Sequence, residues 1–218
     1  LSQEERDLGV CLIDIGCGTT DVAIFTDGTI KHTAVIPIGS QMVTNDIRII
    51  LCTSLNAAEE IKIQYGSVSI NDENNIQIPV PSVSDKPDTE TNKTVLSQII
   101  TARVKEIFEA VQTEINNSGY SSKIRAGMVF TGGGAKLEGL DSFAETYFAK
   151  PSRIGSPKSI KGLEDLRGKT RYATAVGLLL YRENELKSNP LASKKSSKIG
   201  TFFDKIGKTL SNYFQKEL

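Results

Sequence analysis

The stretch Val10–Phe25 constrains this chain more than any other, because two short apolar runs flank a turn that carries most of the distinctive polar chemistry. Val10-Cys11-Leu12-Ile13 and Asp21-Val22-Ala23-Ile24-Phe25 are too short for helices and read as buried strands. Between them lies Asp14-Ile15-Gly16-Cys17-Gly18-Thr19-Thr20. Gly16 and Gly18 can take positive φ and let backbone N–H groups approach an anion, while Thr19 and Thr20 add hydroxyl donors. An Asp closing a strand beside phosphate suits hydrated Mg²⁺, which takes one or two carboxylates plus water and phosphate oxygens. Asp14 is the candidate, reaching the metal through water. Taken alone, the same residues also describe a hairpin with an ordinary glycine turn.

Further along, the pattern predicts an α/β fold. Residues 8–39 read as three antiparallel strands with Asp27-Gly28 as a hairpin turn, and 41–52 and 57–65 as helices. Ser67–Ile70 and Ile76–Val80 read as short strands, and the Pro-, Ser- and Asp-rich residues 82–93 as a surface loop. Val95, Ile99, Val104, Phe108, Val111 and Ile115 recur at helical spacing, predicting a long amphipathic helix that closes near Gly119. Strand 127–131, helix 139–149, a short segment around Ile154 and helix 170–182 follow. Met128-Val129-Phe130-Thr131 runs into Gly132-Gly133-Gly134-Ala135, where a loop without side chains would let a flat base lie on the backbone. On the helix at 57–65, Glu59 and Lys62 share a face, which by itself indicates only a solvated ion pair.

Composition removes several classes of function. The 26 basic and 26 acidic residues balance, so no nucleic-acid partner is expected. Cys11, Cys17 and Cys52 have neither metal-ligand spacing nor a paired framework, which suits a reducing compartment. His32 is the only histidine and is expected to be structural, leaving no His-based metal site or hydrolytic dyad. With 218 residues and 39% apolar content, the chain can build a core with two lobes. Residues 184–198, rich in Ser, Lys and Asn, read as a flexible tether. Beyond it Ile199, Phe202, Phe203, Ile206, Leu210 and Phe214 fall on one helical face, with Lys205 and Lys208 on the other. A basic amphipathic helix on a tether reads as an anchor to an anionic membrane surface; a terminal helix docked on the protein or on a partner is the alternative.

The order and spacing of these parts resemble the second half of the actin-like ATPase superfamily, and within it the FtsA family of bacterial cell division. The segments that carry the match are Leu8–Gly16, Lys31–Pro37, Thr131–Ala135, Ala173–Tyr181 and the terminal Ser211–Leu218. The resemblance implies an actin-like (ribonuclease H-like) fold binding ATP and Mg²⁺. Asp14, Gly16, Gly18, Thr19 and Thr20 would form a phosphate loop, with Glu59, Lys62 and Gly132, Gly133, Gly134 and Ala135 around adenosine. It also implies self-association into filaments, contact with later division proteins, and docking of the FtsZ C-terminal peptide on a smaller lobe at about 67–125, where Arg103 would bind the carboxylate-rich peptide and is expected to be exposed. Attachment to the cytoplasmic face of the inner membrane at the septum completes the picture. Cys17 stands where family members usually have Gly; taken by itself it reads as a small buried residue without reactivity. Residues 1–183 would be the actin-like half. Nothing in the chain matches the family's first half, so a fragment inactive in hydrolysis on its own is expected. A sugar kinase, a DnaK-type chaperone and a type IV pilus actin-like protein are the competing readings.

Overall fold

The computed structural model describes residues 1–68, 76–83, 87–157, 166 and 168–188, without side chains for 182–188. The chain divides into two compact units, Leu1–Gly155 and Ser156–Leu218.

The first unit opens on a helix the polar N-terminus did not suggest, α1 (Gln3–Leu8), started by a capping box in which Ser2 and Glu5 satisfy each other's backbone N–H. Arg153 pairs with Glu5, with Nη2 at 2.6 Å from Oε1. Three strands follow as expected: β1 (Val10–Ile15), β2 (Thr20–Thr26) and β3 (Thr29–Ile36). Asp27 and Gly28 turn the second hairpin with φ of 52° and 74°, the left-handed pair that matches strand twist.

Two helices come next, α2 (Ser40–Ile50) and α3 (Leu55–Tyr65), the latter capped by the Ser54 hydroxyl. Strand β4 (Gln77–Val80) pairs antiparallel with β5 (Thr89–Asn92). This second strand lies inside the expected surface loop. Its Thr-Glu-Thr-Asn sequence lacks apolar alternation because neither of its faces is buried. Of the strand expected at Ser67–Ile70, Ser67 makes an isolated parallel bridge to Glu138, and residues 69–70 lie outside the described residues.

The long helix α4 (Lys93–Asn117) is capped by Asn92, and it buries Leu96, Ile100, Val104, Ile107, Phe108, Val111 and Ile115. Strand β6 (Gly127–Thr131), helix α5 (Leu140–Phe148) and strand β7 (Ser152–Ile154) complete the unit. The main sheet runs β3-β2-β1-β6-β7, antiparallel through the hairpins and parallel where β6 meets β1 and β7. Phe108 sits among the rings of Phe130, Phe143, Tyr147 and Phe148, with centroids 4.9–5.6 Å away. That cluster joins α4, α5 and β6 into one core.

In the second unit, a single 3-10 turn at Thr170–Tyr172 leads into α6 (Ala173–Ser188). Helix α6 overruns the expected boundary at 182 and takes in the first residues of the supposed tether. Glu183-Asn184-Glu185-Leu186-Lys187 contains mostly good helix formers, and the first Pro comes at 190. Residues 189–218, on which the rest of the tether and the amphipathic helix fall, lie outside the described residues.

Candidate functional site

The sheet ends its two central strands side by side, and this places the glycine turn and the glycine loop together. Asp14 stands opposite Asp21 across the antiparallel pair and opposite Thr131 across the parallel one. Gly132 follows immediately with φ 89°, and a Cβ there would fall 2.3 Å from Asp14 Oδ1 and 2.4 Å from the Ile15 carbonyl oxygen. A Cβ on Gly134 would meet Ile15 Cγ2 at 2.4 Å. Only glycine lets the two loops lie this close. Ala135 is buried, whereas Gly133 is exposed with open space where a side chain would project.

The turn itself corrects three expectations. Neither Gly16 nor Gly18 takes a positive φ. A Cβ on Gly16 would lie 3.0 Å from the Thr19 carbonyl, whose oxygen accepts from the Gly16 N–H at 2.9 Å, while Gly18 faces open space. Thr20, expected as a phosphate donor, is fully buried and its hydroxyl donates to the Ile38 carbonyl at 2.7 Å. It fastens β2 to the chain entering α2. Thr19 stays exposed, with its hydroxyl 3.2 Å from Asp21 Oδ2. Cys17 is exposed rather than buried, and its S–H is turned onto Gln41 Oε1 of α2 at 3.3 Å.

Helix α2 was not foreseen as part of this site. The N–H groups of Ser40 and Gln41 donate to the carbonyls of Gly16 and Cys17, each at 2.9 Å. A Cβ on Gly39 would lie 2.4 Å from the Cys17 carbonyl oxygen, so the approach depends on glycine there. The signal in the sequence was Gly39-Ser40 just ahead of a helical pattern. Because these first N–H groups are spent on the turn, α2 supports the turn instead of offering its own amino end to an anion.

Lys62 and Glu59 reach the same place from α3. Lys62 Nζ lies 2.7 Å from Glu59 Oε2, 2.8 Å from Thr44 Oγ1 and 3.3 Å from the Ser40 carbonyl, and Thr44 donates to Glu59. Burial alone would push the Glu59 carboxyl up, but the hydrogen bonds from Lys62 and Thr44 and the Lys62 charge outweigh it and hold the group below the ordinary carboxylate range. The structure therefore brings Asp14, the glycine turn, the 132–135 loop, Glu59 and Lys62 to one end of the sheet.

Arg103 lies elsewhere and is not the exposed guanidinium expected. Its Nε and Nη2 donate to Asp46 Oδ2 and Oδ1 at 2.6 and 2.9 Å, and Nη1 contacts Glu106. Only 18% of the side chain is accessible. A bidentate fork onto an internal carboxylate explains why it folds back instead of pointing to solvent.

Asp14 and Asp21, opposite one another across the strand pair, are a donor set that fits a hydrated divalent cation. Two carboxylates at the turn would repel an anion by themselves, and a cation shared with Asp14 would remove that conflict.

The model of the family described as Cell division protein FtsA matches residues 11–177. The chain is 48% identical over 182 residues to Cell division protein FtsA of Pseudomonas aeruginosa, covering 83% of this chain and 44% of that protein. To the Borreliella burgdorferi protein of the same name it is 40% identical, covering 100% and 52% respectively, and to that of Escherichia coli 36%, covering 100% and 53%. The chain thus spans about half the length of the curated relatives it matches. Among solved structures, MreB5 of Spiroplasma citri bound to ADP matches with a TM-score of 0.69 at 20% identity, over 84% of this chain and 56% of that one. A non-polymerising MamK mutant bound to AMPPNP matches with 0.55 at 20% identity, over 76% and 54%. These likenesses give an actin-like fold.

Proposed function

This chain belongs to the FtsA family of cell division proteins, and from that premise we propose that it forms the nucleotide-binding second half of an actin-like adaptor tying FtsZ to the membrane. The kinase, chaperone and pilus readings give way to the family. One observation carries the nucleotide part: Gly132 fits against Asp14 and Ile15 only without a side chain, so the glycine turn and the glycine loop share one end of the sheet.

In this reading Gly16, Gly18 and Thr19 receive the phosphates of ATP, and Asp14 holds Mg²⁺ through water. When bound, the metal supplies the positive charge that lets phosphates sit beside Asp14 and Asp21. Gly133, exposed and with open space at its Cα, gives adenosine a flat backbone contact, the buried Gly132, Gly134 and Ala135 hold that loop from beneath, and Glu59 and Lys62 lie at the ribose side. Thr20 holds the turn's shape from beneath.

The FtsZ C-terminal peptide docks on the lobe at about 67–125. Residues 184–198 lead to the amphipathic segment 199–218, which attaches the protein to anionic lipid on the cytoplasmic face of the inner membrane at the septum. Self-association into filaments multiplies that weak attachment by avidity. Among the described residues no helix is long and apolar enough to cross a membrane.

The test is titration of Mg·ATP into the chain extended to its relatives' length by fusion to the first half of the Pseudomonas aeruginosa protein. Saturable Mg-dependent binding, abolished by Asp14→Ala, is expected. Binding that Asp14→Ala leaves unchanged overturns the site.

A further inference from the structure

Whether Ser40 and Gln41 meet the turn carbonyls depends on how α2 is rotated about its own axis. Val43 and Ile47 bury one face of the helix, but apolar contact is non-directional and tolerates a range of rotations. The Arg103 fork onto Asp46 is directional, and the two side chains are only 18% and 22% accessible. Asp46 lies about 9 Å along the same helix from Ser40, a distance over which a helix behaves as one body.

We propose that Asp46 and Arg103 are positioning residues for the turn Gly16–Thr19: their clasp from α4, together with the Lys62 contacts from α3 onto the Ser40 carbonyl and Thr44, sets the rotation of α2 and, through the Ser40 and Gln41 N–H groups, the shape of the turn. Arg103 is then a guanidinium with an internal carboxylate partner. Breaking the clasp releases α2 and loosens the turn. The consequence for nucleotide rests on the reading of the turn as a phosphate site, whereas the mechanical link operates without ligand.

The experiment is amide hydrogen exchange, resolved by peptide, on the full 218-residue chain without nucleotide. Asp46→Asn and Arg103→Lys are compared with wild type and with Lys93→Gln, which removes the Lys93–Glu138 pair, 2.9 Å long, from the same α4. Exchange in the peptides holding residues 16–19 and 40–41 should accelerate at least fivefold in both clasp variants, and β6 should keep its wild-type protection. Alkylation of Cys17, whose thiol rests on Gln41, should quicken in parallel. Asp46→Glu, which keeps a carboxylate, should restore protection to within twofold, and Lys93→Gln should leave the turn untouched. Unchanged exchange at the turn in Arg103→Lys, or acceleration spread equally over β6, overturns the proposal. A failed nucleotide titration would overturn the site and leave this exchange result standing.

Discussion

Gly132 and Gly133 are neighbours in sequence with opposite demands. Gly132 sits at φ 89° with carboxylate and carbonyl oxygens where a Cβ would go, and Gly133 has nothing within 4 Å. Gly132→Ala should therefore cost at least about 2 kcal/mol through strain and displaced Asp14. Gly133→Ala should stay within about 0.5 kcal/mol, both measured by urea unfolding. The three thiols divide in the same residue-by-residue way. Burial pushes the Cys11 thiol up to about 12, so it stays protonated at neutral pH as well as inaccessible. Cys17 and Cys52 are exposed. Iodoacetamide followed by peptide mapping should label Cys17 and Cys52 in the native chain and Cys11 only after unfolding.

Helices α2 and α3 meet through Thr44, Glu59 and Lys62, and this contact is sensitive to acid. Glu59 ionises below its ordinary value of 4.5 in the folded chain. Its contribution is thus complete above that value and is lost as pH falls through the lower folded one. Between pH 5.5 and 3 the wild type should lose more stability than Glu59→Gln, followed by the midpoint of urea unfolding. A larger loss in Glu59→Gln would contradict the assignment. The same helices show where the sequence was legible. Apolar periodicity located α4, β1, β2 and β6 because each buries a regular set of side chains. It could not find β5, whose Thr and Glu gain nothing from burial, or the short α1, where the Ser2–Glu5 capping box was the only signal. Of the candidate site, the Asp14 turn and the 132–135 loop were legible, since Gly132 and Gly134 leave no room for a side chain and Gly16 leaves little. Gly39 left a signal ahead of α2, but the part of Ser40 was hidden because backbone donation to carbonyls leaves no mark on side-chain identity, and that of Thr44 because its partner Glu59 lies fifteen residues away. Arg103 was misplaced because the sequence does not show that Asp46 lies within its reach.

At the scale of the whole molecule, attachment to a surface has to come from the segment after α6 in the proposed reading. Ile199, Phe202, Phe203, Ile206, Leu210 and Phe214 supply its apolar face. The chain should sediment with anionic liposomes, less so at high salt, and should lose this on deletion of residues 199–218 or on Phe203→Glu. Retention by the deletion variant would exclude the anchor. The parallel pairing of β1 with β6 has a consequence for the birth of the protein. Val10 finds its partner in Gly127, about half the chain further on. At roughly 5–20 residues per second of synthesis, one edge of the β1 hairpin waits on the order of ten seconds for its neighbour to leave the ribosome. During that interval Val10, Cys11 and Ile13 are open to any strand that passes, so this interval should be the one in which the nascent chain most needs a chaperone.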